Sequence, residues 1–171
     1  MIENYIINSE NSTDHWGFFK SENEKVLDIG CGRWDVTDIN EMSPFYFGRN
    51  ADTVIGVDAK LEDIEFFITQ SLNNDKYKFY CKTINSPDQV IELLNNHQIS
   101  AFKCDIEGAE YCLLGISSKD WLNVNYMAIE YHSADLKESF LKKIPEWGLK
   151  IRLMAKFNNV PDHMGVIYAT R

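Results

Sequence analysis

From residue 25 onward, short apolar runs alternate with segments of helical periodicity. KVLDIG (25–30), TVIGVDA (53–59), KFYCKTI (78–84), SAFKCDI (100–106) and YMAIEYH (126–132) are brief and bounded by turn residues. Runs of that kind suit strands buried inside a parallel sheet. Between them, LEDIEFFITQSL sets Leu61, Ile64, Phe67, Ile68 and Leu72 on one helical face. SPDQVIELLNNH opens with Ser86 as N-cap and Pro87 at the first helical position. GAEYCLLGI aligns Ala109, Cys112, Leu113 and Ile116 as a further helix, and SADLKESFLKKIP aligns Leu136, Phe140 and Ile144 before stopping at Pro145. DVTDINEM is a weaker helix that Pro44 ends.

The tail reads differently. LKIRLMAKF puts Leu149, Ile151, Leu153, Ala155 and Phe157 on one face, and NNVPDHMG then leads to VIYAT, a closing antiparallel pair. The alternation predicts an α/β fold: a Rossmann-like doubly wound, mostly parallel seven-stranded sheet ending in that pair. A chain of 171 residues with 44% hydrophobic and 25% charged residues fits one domain, 1–171, with residues 1–24 as an N-terminal extension. Its HWGFF stretch (15–19) is a candidate lid.

Composition narrows the function classes. The net charge is −9, and the 17 Lys and Arg are scattered, so the basic footprint of a nucleic-acid partner is not expected. No apolar run reaches the roughly 18 residues of a membrane span, and MIENYIINSENSTDH lacks the pattern of a secretory signal. A cytoplasmic protein without a membrane partner is the expectation. Cys31, Cys81, Cys104 and Cys112 lack paired spacing and adjoin apolar runs, so neither a zinc site nor disulfides are expected.

In a sheet of this type ligands bind beyond the carboxyl ends of the strands, near the switch point. DIGCGRW, VDA, NSP, DIEGAE and EYH then share one rim. Gly30 and Gly32 follow the first strand directly, where glycine permits a tight turn and close backbone approach. A dinucleotide fingerprint would need a third glycine where Asp35 stands, an anion facing pyrophosphate. Asp28 ahead of the glycines suits a cofactor with a cationic portion, and Asp58 at the end of the second strand suits ribose hydroxyls.

Asp28, Gly30, Gly32 and Asp58, in that order and on those elements, resemble the class I S-adenosylmethionine-dependent methyltransferases. The departure is Trp34 at the family's third glycine. FKCDIEGAEYCLL, with Lys103, Asp105, Glu107, Gly108 and Glu110, is similar to the fourth-strand motif of FkbM-type methyltransferases, and Glu130 with His132 resembles their Glu-x-His. The resemblance runs from about Lys25 to His132. It implies S-adenosylmethionine as cofactor, contacted by Asp28, Gly30, Cys31, Gly32, Trp34, Asp58, Ala59, Ser86 and Asp105. It also implies methyl transfer to a hydroxyl of a small-molecule acceptor such as a sugar or natural product.

Glu107, Glu130 and His132 are the expected catalytic residues. Glu130 and His132 lie two apart and share a strand face. His132 is the expected general base, with Glu130 or Glu107 orienting it. Asp105 is expected to face the cofactor's amino end, Glu107 the acceptor, and Glu110 only the dipole of the following helix. Gly108 suggests close approach of another group. Mg²⁺ or Mn²⁺ held by the strand-end carboxylates and one imidazole is the less favoured reading, so no metal ligands are assigned. The alternative to an enzyme is an inactive S-adenosylmethionine-binding or scaffold module with the same fold.

Overall fold

A computed structural model of the chain describes residues 2–7, 15–33, 36–158 and 163–171. Eight strands form one sheet: β1 (Glu3–Ile7), β2 (Lys25–Ile29), β3 (Thr53–Asp58), β4 (Tyr77–Cys81), β5 (Ala101–Cys104), β6 (Tyr126–Tyr131), β7 (Lys150–Phe157) and β8 (Gly165–Thr170). Their order is β1-β7-β8-β6-β5-β2-β3-β4. β8 runs antiparallel to β6 and β7, and the other pairings are parallel. The direction of winding reverses between β2 and β5, which leaves a crevice beyond their carboxyl ends.

The helices are α1 (Ser43–Gly48), α2 (Leu61–Gln70), α3 (Pro87–His97) and α4 (Ala134–Glu146). Strand alternation divides the core in two. Leu27, Ile55, Phe102 and Ile129 meet α3 and α4 on one face, while Val26, Val54, Ala101 and Ala128 meet α1 and the segment carrying Trp16 and Phe19 on the other. α2 adds Ile64 and Phe67, packed with Cys31 and Met42.

The seven expected strands are present, and an eighth comes from the N-terminal extension, whose β1 pairs with the outer edge of β7. Its five residues, ENYII, are too few to carry a strand pattern by themselves. Pro44 begins a helix instead of ending one: it sits in the first turn of α1, where its missing N–H costs nothing. GAEYCLLGI forms a 3₁₀ helix over Glu110–Gly115 in place of an α-helix, followed by another over Ser118–Trp121. The expected single face of β7 is broken by a register shift between Ile151 and Leu153. Ile151 and Met154 therefore join the α4 side, while Leu153 and Ala155 join the other. Among the described residues no helix is long and apolar enough to cross a membrane.

Candidate active site

The rim is built from two neighbouring halves. At the first, β2 ends in the glycine turn. Gly30 has φ +75, and a Cβ there would lie 1.5 Å from the backbone oxygen of Asp105, so β2 and β5 approach closely only because this residue is glycine. The N–H groups of Gly30 and Cys31 both donate to Val57 O, at 2.9 and 3.3 Å. Beneath the turn, Asp28 is 0% and Lys103 1% exposed. Lys103 Nζ stands 2.8 Å from Asp28 Oδ1 and donates to Gly30 O at 2.7 Å. Ser43 Oγ donates to Asp28 Oδ2 at 2.6 Å. Burial pulls the Lys103 pKa down, but Asp28 and Asp105 outweigh it, and the ammonium is held charged.

Asp28 thus faces inward and braces the turn rather than meeting the crevice. The Cys31 side chain is fully buried, and that burial raises its thiol pKa. Asp58 is half-buried at the end of β3; its Oδ1 accepts from Lys60 N at 2.8 Å, and its Oδ2 faces Gly32, where a Cβ would lie 3.1 Å away. Ala59 is exposed beside it. Ser86 uses its hydroxyl in the capping box of α3. Arg33 reaches α2, where Nε donates to buried Asp63 Oδ1 at 2.7 Å. Trp34, expected near a ligand, lies outside the described residues.

The second half lies at the ends of β5 and β6. Asp105 and Glu130 are 7% and 5% exposed. Glu110 is also buried, its Oε1 on His132 Nδ1, and His132 Nε2 lies 3.4 Å from Glu130 Oε1 and 3.9 Å from Asp105 Oδ1. Glu130 Oε2 meets His15 Nε2 at 2.8 Å. Glu107 is exposed, while Glu110, expected only at the helix dipole, turns in to hold the imidazole. Gly108 has φ +79 with open space where a Cβ would be, so it serves the backbone turn and not a close approach.

The cluster's electrostatics follow from this packing. Burial lowers the His132 pKa, but hydrogen bonds to Glu110 and Glu130 overcome it and raise the value to about 10. His132, expected to titrate near neutrality as a base, is therefore a cation that donates. Burial raises Glu130, but bonds from His132 and His15 take it to about 2. Burial and the neighbouring Glu130 raise Asp105 to about 8, with Lys103 and His132 opposing.

HWGFF does not lie over the glycine turn. Trp16 and Phe19 are buried against the sheet with Phe47, Trp16 lies over Lys103 Nζ at 4.9 Å, and His15 reaches the acid cluster. Sequence reading missed His15, Ser43, Arg33 and Asp63. Only Arg33, inside the glycine motif, carried a local signal. Two clefts lie away from these motifs: one of about 520 Å³ beside Phe19, Asn23, Arg49 and Tyr126 at the opposite rim, and one of about 360 Å³ beside Ile39, Phe45 and Tyr77.

No protein-family model and no curated protein sequence matches the chain. Solved structures do. An rRNA methylase from Streptococcus thermophilus superposes with a TM-score of 0.62 at 12% identity, covering 94% of this chain and 93% of that one. Fibrillarin from Aeropyrum pernix, in complex with natively bound S-adenosyl-L-methionine, gives 0.60 at 13% identity over 88% and 67%. Magnesium protoporphyrin IX methyltransferase from Synechocystis, with bound SAM, gives 0.57 at 12% over 88% and 70%. What is shared at these identities is the fold, and it is the mostly parallel α/β sheet of the S-adenosylmethionine-dependent methyltransferases.

Proposed function

We propose that this chain is an S-adenosylmethionine-dependent methyltransferase acting on a hydroxyl group of a small molecule. The observation that carries the reading is the juxtaposition of the Gly30–Gly32 turn and Asp58 with the buried cluster Asp105–Glu130–His132 along one rim of this fold. Asp58 Oδ2, turned toward the glycine turn, suits the ribose hydroxyls, and the Gly32 backbone borders the same space. The acid-rich second half is left for the acceptor and its proton. When bound, S-adenosylmethionine supplies an electrophilic methyl group on a sulfonium.

The chain's own contribution is positioning and proton handling. Lys103 and Asp28 hold the glycine turn in place from below. His132, held cationic, orients Glu130 and Asp105. Proton acceptance from an acceptor hydroxyl falls to Asp105, whose proton affinity lies near neutrality. Glu107, exposed in the turn after β5, is assigned to the acceptor.

The net charge of −9 favours a small acceptor over RNA, although an rRNA methylase has the same fold. The FkbM-type resemblance of the DIEGAE turn supports hydroxyl oxygen as the target class. A second reading, a binding module without turnover, is favoured by His15, which engages Glu130 on the acceptor side.

The test is calorimetric titration of S-adenosylmethionine, with Asp58→Ala in parallel, followed by methyl transfer to a panel of sugars and phenols. Micromolar binding weakened at least ~10-fold in the variant, with transfer to some hydroxyl, is the expected result. Binding without transfer would leave the module, and no binding by folded protein would remove both readings.

A further inference from the structure

We propose that His15, Asp105 and Glu130 form a divalent-cation site suited to Mn²⁺, closed by the N-terminal segment against the ends of β5 and β6. One donor atom from each of the three lies within 4.8 Å of the others. Small side-chain adjustments would bring three atoms at that spacing to the roughly 2.0–2.2 Å of nitrogen and oxygen ligands. One imidazole with two carboxylates is a mixed donor set. The carboxylates favour Mg²⁺ or Mn²⁺, and the imidazole shifts the preference toward the transition metal.

Three further features separate this cluster from an acidic patch. Both carboxylates are more than nine-tenths buried, where an anion needs a partner. No described residue hydrogen-bonds the Asp105 carboxylate, and the cation beside it, His132 Nε2, stands 3.9 Å away. The third ligand is also fixed in advance: the His15 ring stacks on Trp16 at 4.2 Å and meets Phe157 edge-on at 4.8 Å, while Tyr168 donates its hydroxyl to His15 O. His132, tied to Glu110, is left to orient the ligating carboxylates from outside, as outer-shell histidines and carboxylates do. The imidazole of the site is thus His15, not His132. The ion would occupy the present contact between His15 Nε2 and Glu130 Oε2. Its use in making an acceptor hydroxyl more acidic, which would replace proton acceptance by Asp105 when the ion is bound, rests on the methyltransferase reading; the site itself does not.

The experiment is a titration of MnCl₂ into the full chain without S-adenosylmethionine, following free Mn²⁺ by electron paramagnetic resonance. One ion per chain is expected, with His15→Gln and Glu130→Gln each weakening it by about tenfold or more and Glu146→Gln, on exposed α4, unchanged. Should either variant misfold, proton NMR of the unaltered chain decides: substoichiometric Mn²⁺ should broaden the ring signals of His15 and His132 before that of His97 on α3. No saturable binding, variants that bind as the parent does, or broadening that begins elsewhere would overturn the site. Because no cofactor is present, that failure is separate from failure of the methyltransferase reading.

Discussion

At the β2–β3 half of the rim each buried carboxylate has its own cation, Asp28 with Lys103 and Asp63 with Arg33. At the β5–β6 half, Asp105, Glu110 and Glu130 crowd round the imidazoles of His132 and His15. The first arrangement is closed: its charges are spent on holding a glycine turn and the start of α2. The second still draws positive charge, as the raised proton affinities of both His132 and Asp105 register. One half is a frame, and the other is where a metal cation or a reacting proton gains most.

The frame should break hardest. Gly30→Ala would drive a Cβ into the Asp105 carbonyl at a positive φ, and a loss above about 4 kcal/mol in urea unfolding is expected. Lys103→Met would strand buried Asp28 and should cost ~3–5 kcal/mol. Adding Asp28→Asn should recover part of that loss, and a double variant no better than Lys103→Met would mean the pair is not the link between the strands.

Within the cluster, Glu110→Ala should cost about 1–3 kcal/mol, because it leaves His132 Nδ1 without its buried acceptor. pH should act more gently. His132 and Asp105 have raised pKa values, so their contribution is full below their unfolded values of 6.5 and 3.8 and is lost as pH rises through about 10 and 8. Glu130 is depressed, so its contribution is full above 4.5 and is lost as pH falls toward about 2. The urea midpoint should therefore decline from near pH 4 as Asp105 ionises more easily in the unfolded chain, with His132 adding to the decline above about pH 6.5, and His132→Gln should flatten that upper part. Glu107→Gln, on exposed surface, should leave the midpoint unchanged.

The sheet was legible because period and length separate buried strands from amphipathic helices, and the rim followed from topology. β1 was not, because an edge strand leaves little apolar pattern in sequence. Asp105, Glu130 and His132 meet as strand alternation requires, being on adjacent strands with one side-chain period. The inward turn of Glu110 was hidden, since an α-helix and a 3₁₀ turn from the same residues point different acids inward. Lys103 read as a motif letter, and its burial emerges only when Asp28 is seen opposite it in register. His15 could not be placed at all: it lies 115 positions from Glu130 in the chain, and only tertiary packing brings them together.

The division of the rim is tested most directly by titrating S-adenosylmethionine into Asp58→Ala and Glu130→Gln side by side under identical conditions. The account predicts that the first loses binding by at least about tenfold while the second keeps most of it. Equal loss in both, or retention in Asp58→Ala with loss in Glu130→Gln, would contradict the assignment of cofactor recognition to the β2–β3 half.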